Sequence, residues 1–220
     1  MSFDEDVLAR AARVRLLLMD VDGVMTDGTY WQVPDGQGGL AEIKAFDSQD
    51  GIGFQWLRRF GIQAGVISGR VSVATEERAR SAGFAYVYQG HTEKIPILEE
   101  ILEKAALQAE QVAYVGDDFT DVVIMHRVGL AIAVANAKPE VKAEAHWVTT
   151  SPGGHGALRD AVELILKAQG RWEEILRHYE IGEGVRPVQR LGTEPSARNI
   201  GVGSGRWGEA PSTTSSGTKP

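Results

Sequence analysis

Cysteine is absent from the 220-residue chain. That excludes disulfides, thiolate catalysis and cysteine-built zinc sites. No apolar run approaches the length of a membrane span. The first residues, MSFDEDVLARAARVR, open acidic and contain no apolar segment, so they do not read as a signal peptide. A soluble cytoplasmic protein without a membrane partner is expected. A basic excess is also missing. The formal net charge is -7 at pH 7, and no basic stripe offsets it, so nucleic acid is not expected as a partner. An anionic substrate stays open, because one bound cation or lysine inverts the field at a single site. No long internal repeat is visible.

What is present is globular: 43% apolar and 24% charged residues, in a length that suits one domain with a full core. Short, β-branched apolar runs recur as RLLLMD (15–20), QAGVISG (63–69), AYVYQG (85–90), QVAYVGDD (111–118), LAIAVANA (130–137) and HWVTT (146–150). They read as buried strands. Between them lie helical patterns. DGIGFQWLRRFG sets Ile52, Trp56, Leu57 and Phe60 on one side and stops at Gly61; VSVATEERARSAG stops at Gly83. HTEKIPILEEILEKAALQ begins with Thr92 as N-cap, and GALRDAVELILKAQG follows near the end, with RWEEILRHYEI extending it. Strand alternating with helix predicts an α/β fold with a doubly wound parallel sheet. One segment breaks the alternation: Thr26 to Phe46 reads as strand, Pro-Asp-Gly turn region and strand, a β-hairpin flap too small to be a cap domain. From about Glu183 the composition turns to Gly, Ser, Pro and Thr without a period. The expected organisation is therefore a domain over 1–182 and a disordered tail over 183–220.

In an open parallel sheet, ligands sit beyond the carboxyl ends of the strands. The first strand ends in Asp20 and Asp22, the second in Ser68, Gly69 and Arg70. His91, Thr92 and Lys94 follow the third; Gly116, Asp117 and Asp118 end the fourth, with Asp121 a turn later. Topology alone brings these groups to one rim. Asp20 and Asp22 point to the same side of an extended backbone, and Gly23 lets the chain turn away. Facing carboxylates repel unless one takes a proton or a cation intervenes. Mg²⁺ accepts a few carboxylates and a carbonyl while keeping waters for phosphate exchange, and Asp20, the Asp22 carbonyl and Asp117 would supply that set.

Taken together, DVDGVMTDG, VISGR, HTEK and YVGDDFTD resemble the four successive motifs of the haloacid dehalogenase superfamily. The stretches IKAFDSQDGIG, YVYQGHTEK and GGHGALRD narrow the resemblance to its cap-less 3-deoxy-D-manno-octulosonate 8-phosphate phosphatase family, from about Arg13 to Gly170. The resemblance implies a HAD-like phosphatase of lipopolysaccharide sugar biosynthesis, working through an aspartyl-phosphate. Asp20 is then the nucleophile and Asp22 the general acid and base. Ser68 binds a phosphoryl oxygen, and Lys94 neutralises charge on Asp20 and the phosphoryl group. Asp20, Asp22 and Asp117 hold Mg²⁺, and Asp118 and Asp121 support them. The substrate side is expected from Asp22, Lys94, Arg70, Arg78 and the segment Asp47, Ser48, Gln49, Asp50, Gly51 with Gln55. In that segment the family's N-x-R-D-G and following lysine are altered: Gln49 and Gln55 carry no charge. A related substrate such as N-acylneuraminate 9-phosphate therefore stays open. A receiver-like phospho-binding module is the reading from another class. The resemblance also implies a homotetramer in which flaps pack together.

Overall fold

The strand Leu16–Met19, β1, is buried at every position. Four apolar side chains in extended backbone can all be buried only where both faces of the strand are covered. The structure, a computed structural model, describes residues 3–182 and residue 184. In chain order the strands are β1, β2 (Trp31–Pro34), β3 (Leu40–Ile43), β4 (Gln63–Ser68), β5 (Tyr86–Gln89), β6 (Val112–Gly116), β7 (Leu130–Ala133) and β8 (Trp147–Val148). The helices are α1 (Glu5–Ala11), α2 (Ser48–Arg59), α3 (Val73–Ala82), α4 (Ile95–Ala105), α5 (Phe119–Met125), α6 (Pro139–Ala143), α7 (Ala157–Ala168) and α8 (Trp172–His178). Six strands form one sheet in the order β5-β4-β1-β6-β7-β8, every neighbouring pair parallel. The α/β doubly wound expectation holds. β1 sits in the middle, between β4 and β6, where successive crossovers change direction. A switch point of this kind opens a crevice beyond the strand ends.

β2 and β3 pair antiparallel with Trp31 opposite Ile43, and they make the hairpin predicted between Thr26 and Phe46. Among the described residues no further cap intervenes between β1 and α2. Residues up to Gly182 form one compact unit. The predicted tail over 183–220 lies, apart from Gly184, outside the described residues.

Several local readings need correction. The buried face of α2 is Gly53, Phe54, Trp56 and Leu57, while Ile52 is exposed. Thr92 does not cap α4; the helix starts at Ile95 after Lys94, with Pro96 in its first turn, where a missing N–H costs nothing. Residues 171–181 do not extend α7. Gly170 takes φ +66°, and α8 turns back onto the domain, with Trp56 meeting Trp172 edge-on at 5.6 Å. The acidic N-terminus forms α1, whose N-cap Asp4 accepts from the Asp6 N–H at 2.8 Å.

Candidate active site

The Asp20 N–H donates to the Val115 carbonyl at 3.0 Å, so the parallel pairing with β6 continues one residue past β1. That fixes the Asp20 backbone before the chain turns. The turn follows at Gly23, with φ +96°. A Cβ there would lie 2.2 Å from Asp117 Oδ2, so glycine is required twice over, for its φ and for the close approach of the carboxylate. The loop is braced from behind. Asn136 donates from Nδ2 to the Gly23 carbonyl at 3.0 Å and accepts the Gly153 N–H on Oδ1 at 2.6 Å. Asn136 drew no attention in the sequence, since one amide after β7 has no motif around it.

Lys94 is buried, and its ammonium donates to Asp20 Oδ1 at 2.8 Å, Asp121 Oδ1 at 2.7 Å and the Tyr114 hydroxyl at 3.1 Å. Burial alone would lower it, but the charges of Asp121 and Asp20 outweigh burial and hold the ammonium above its ordinary pKa. Asp121 is fully enclosed. Its Oδ1 also accepts from the Tyr114 hydroxyl at 2.7 Å, and its Oδ2 takes the N–H groups of Asp117 and Asp118 at 2.9 and 3.2 Å. Both oxygens are spent, so Asp121 orients Lys94 and the Gly116–Asp118 turn. Asp118 caps α5 in reciprocal pairing with Asp121.

Asp20, Asp117 and Asp121 offer carboxylate oxygens within 4.8 Å of one another. Burial pushes the Asp117 carboxyl up to about 8, and the charges of Asp121 and Asp20 push the same way. Burial likewise raises Asp20 to about 6 against the pull of Lys94. Asp117 Oδ1 is buried with no hydrogen-bond partner. An orphaned carboxylate oxygen beside a second carboxylate is the donor set a hard divalent cation requires. The fit to magnesium is therefore good.

Asp22 points elsewhere. Its Oδ1 accepts from Lys44 Nζ at 2.6 Å, and its Oδ2 lies 3.4 Å from Arg70 Nε. Lys44 comes from the flap, one residue past β3. It was not singled out in the sequence, although alternation along β3 places it on the inward side with Glu42. Arg70 is clasped by Glu42 Oε2 at 2.6 Å and stacks over the Tyr30 ring at 4.0 Å.

Asp20, Asp22, Ser68, Arg70, Lys94 and Asp117 all line one cavity of about 190 Å³. Six of the predicted site residues are thus brought together. Thr92, placed at the rim by its strand end, lines it too, as does Thr120, which was not predicted. The rest of the expected substrate set does not line it. Asp47 caps α2, accepting from the Gln49 N–H at 2.6 Å, and its carbonyl takes Arg78 Nη2 at 2.8 Å. Asp50 is buried and accepts from the Arg159 N–H at 2.7 Å, in the first turn of α7. A Cβ on Gly51 would meet Arg78 Nη2 at 2.9 Å, so this glycine admits the guanidinium. Ser48, Gln49 and Gln55 are exposed.

Residues 75–159 match the model of the haloacid dehalogenase-like hydrolases. A 3-deoxy-D-manno-octulosonate 8-phosphate phosphatase of Yersinia pestis is 43% identical over 169 residues, covering 77% of this chain and 88% of that protein. This chain belongs to the 3-deoxy-D-manno-octulosonate 8-phosphate phosphatase family. The phosphatase of the same name from Escherichia coli K12 is 41% identical over the same shares. Among solved structures, the Moraxella catarrhalis phosphatase in complex with magnesium, phosphate and the sugar acid matches with a TM-score of 0.75 at 33% identity, over 80% of this chain and 99% of that one. Family membership leaves the receiver-like reading without support, and the Yersinia, Escherichia and Moraxella proteins all carry the octulosonate name. No helix among the described residues is long and apolar enough to cross a membrane.

Proposed function

We propose that this chain is a magnesium-dependent phosphomonoesterase that hydrolyses 3-deoxy-D-manno-octulosonate 8-phosphate to the free sugar acid and inorganic phosphate. The observation that carries the reading is the division of the two carboxylates: Asp20 is tied to Lys94 on the domain, and Asp22 to Lys44 on the flap. One carboxylate is held for attack and the other is kept separate for proton transfer. The Yersinia and Escherichia relatives carry the name of this activity.

In this mechanism an Asp20 oxygen attacks phosphorus and the bond to the sugar oxygen breaks. Asp22 gives its proton to the departing alkoxide. Water then attacks the aspartyl-phosphate, Asp22 takes the proton from that water, and phosphate leaves with Asp20 restored. Lys94 steadies the negative charge on Asp20 and on the phosphoryl oxygens, and Ser68 donates to one of those oxygens. Asp20, Asp117 and the Asp22 carbonyl would hold magnesium, which when bound neutralises phosphoryl charge during transfer. Arg70 recognises the substrate's anionic group at the cavity mouth.

The same reading makes residues 1–182 the catalytic domain and sets the enzyme in the cytoplasm, because a sugar-acid phosphate is too highly charged to cross a bilayer unaided. It also makes the chain a homotetramer joined through its flaps. The hairpin face turned away from Lys44 supports this, with the cross-strand pair Trp31 and Ile43 exposed. A substrate panel tests the specificity. Specificity constants are expected to be highest for the octulosonate 8-phosphate, ahead of N-acylneuraminate 9-phosphate and simple hexose phosphates. A higher value for any of the others moves the substrate.

A further inference from the structure

The flap buries the wrong residue for stability. Trp31 is 69% exposed, Leu40 62% and Ile43 51%, yet the Lys44 side chain has no exposure at all. Taking an ammonium out of water costs several kcal/mol before any partner compensates, whereas burying a tryptophan or leucine is favourable. Turning the hairpin over would put the cross-strand pair Trp31 and Ile43 inside in place of Lys44. What Lys44 meets inside is Asp22 Oδ1 at 2.6 Å and Glu42 Oε1 at 3.8 Å. Glu42 in turn binds Arg70 at 2.6 Å, and Arg70 reaches back to Asp22 Oδ2 at 3.4 Å. The four side chains form a closed ring, two anions and two cations, with three members outside the β1 loop. Two of those three ride on the flap. Burial works to raise the Glu42 carboxyl, but hydrogen bonds from Ser72 and Arg70 and the charge of Lys44 hold it below its ordinary range.

We infer that Lys44 is a positioning residue: it holds Oδ1 of the Asp22 carboxyl group while the proton that passes to the leaving alkoxide sits on Oδ2, so the flap carries part of the catalytic geometry. This rests on the phosphatase reading above. A carboxyl group gripped through Oδ1 is restrained about its χ2 axis, and its second oxygen is the one Lys44 leaves unbound. That oxygen, Asp22 Oδ2, is buried and has no hydrogen-bond partner among the described residues, the Arg70 approach being longer than a close hydrogen bond. An acid must hold its proton-bearing oxygen at a fixed place, and the Lys44 grip on Oδ1 provides that, with Arg70 at 3.4 Å from Oδ2. Lys94 does the corresponding work for Asp20 from the domain side.

The test uses leaving groups. A sugar alkoxide needs protonation as it departs, and p-nitrophenolate does not. General acid catalysis contributes roughly 10²- to 10⁴-fold, so losing the acid's orientation should cost a sizeable part of that for the sugar ester alone. Specificity constants are measured for wild type, Lys44→Met and Lys44→Arg on 3-deoxy-D-manno-octulosonate 8-phosphate and on p-nitrophenyl phosphate. These constants report only steps up to formation of the aspartyl-phosphate. In Lys44→Met the loss on the sugar ester is expected to exceed the loss on the aryl ester by about tenfold or more, and Lys44→Arg should recover part of the difference. In the Asp22→Asn background, Lys44→Met should then cost almost nothing further on the sugar ester. Equal losses on the two esters, or a full additional loss in the Asp22→Asn background, would overturn the inference and leave the phosphatase reading standing. A wild type that releases phosphate from neither ester removes both.

Discussion

At the scale of single residues, the site is a problem of crowded negative charge. Asp20, Asp117 and Asp121 lie within reach of one ion, and among the described residues only Lys94 opposes them directly. Without metal the chain must hold Asp117 as a reluctant carboxylate, its pKa raised to about 8 by burial first and then by its acidic neighbours. The folded pKa lies above the usual value of 3.8, so the stability Asp117 contributes is complete below that value and is lost as pH rises toward 8. Asp117→Asn removes this charge while keeping the shape. At pH 8 the metal-free variant is expected to melt above metal-free wild type, each kcal/mol appearing as about 2–4 °C. Magnesium should raise the melting temperature of wild type and leave the variant unmoved. A variant that melts below wild type without metal, or that still responds to magnesium, contradicts the assignment of Asp117.

At the scale of elements, α7 depends on a residue from α2. Gly156, at its N-cap, offers no side chain, and the Asp50 carboxylate accepts the Arg159 N–H instead. Burial raises Asp50 to about 7, with the charges of Asp47 and Asp160 adding to it. The linkage has the same sign: its stabilisation is full below about pH 4 and is lost as pH approaches 7. Asp50→Asn keeps an acceptor for Arg159 and cannot ionise. Denaturant unfolding from pH 4 to pH 8 should show wild type losing on the order of 2–4 kcal/mol relative to the variant; parallel curves would deny the linkage. This same element shows where sequence reading stops. Asp50 belongs to a motif, and the motif suggested substrate, but its carboxylate faces a helix end that only tertiary packing reveals. β1, β4 and β6 were legible because buried parallel strands are continuous apolar runs, and their terminal Asp20, Ser68 and Asp117 followed from topology. Lys44 was not legible, since period-2 alternation gives two faces and the hairpin's apolar residues argued for the wrong one inward. The turn at Gly170 was hidden because the apolar period resumes across it at Trp172 and Ile175.

At the scale of the whole molecule, the sheet supplies the rim and the flap supplies a wall tied to it through Lys44 and Glu42. The flap buries the Lys44 side chain and exposes Trp31 and Ile43 on the opposite face, and the homotetramer proposed above would cover that face with a second copy of the chain. On that proposal wild type sediments as a tetramer and Trp31→Glu shifts toward monomer in sedimentation velocity. An unchanged mass would place the interface elsewhere. The central claim, that Asp20 on the β1 rim is the nucleophile of a metal-dependent phosphatase, is tested most directly by phosphate release from 3-deoxy-D-manno-octulosonate 8-phosphate, with magnesium and with chelator, by wild type and Asp20→Asn. The account expects release by wild type only with magnesium, and a loss of at least about a thousandfold in the variant. Release that persists in Asp20→Asn, or no release by folded, magnesium-loaded wild type, would contradict it.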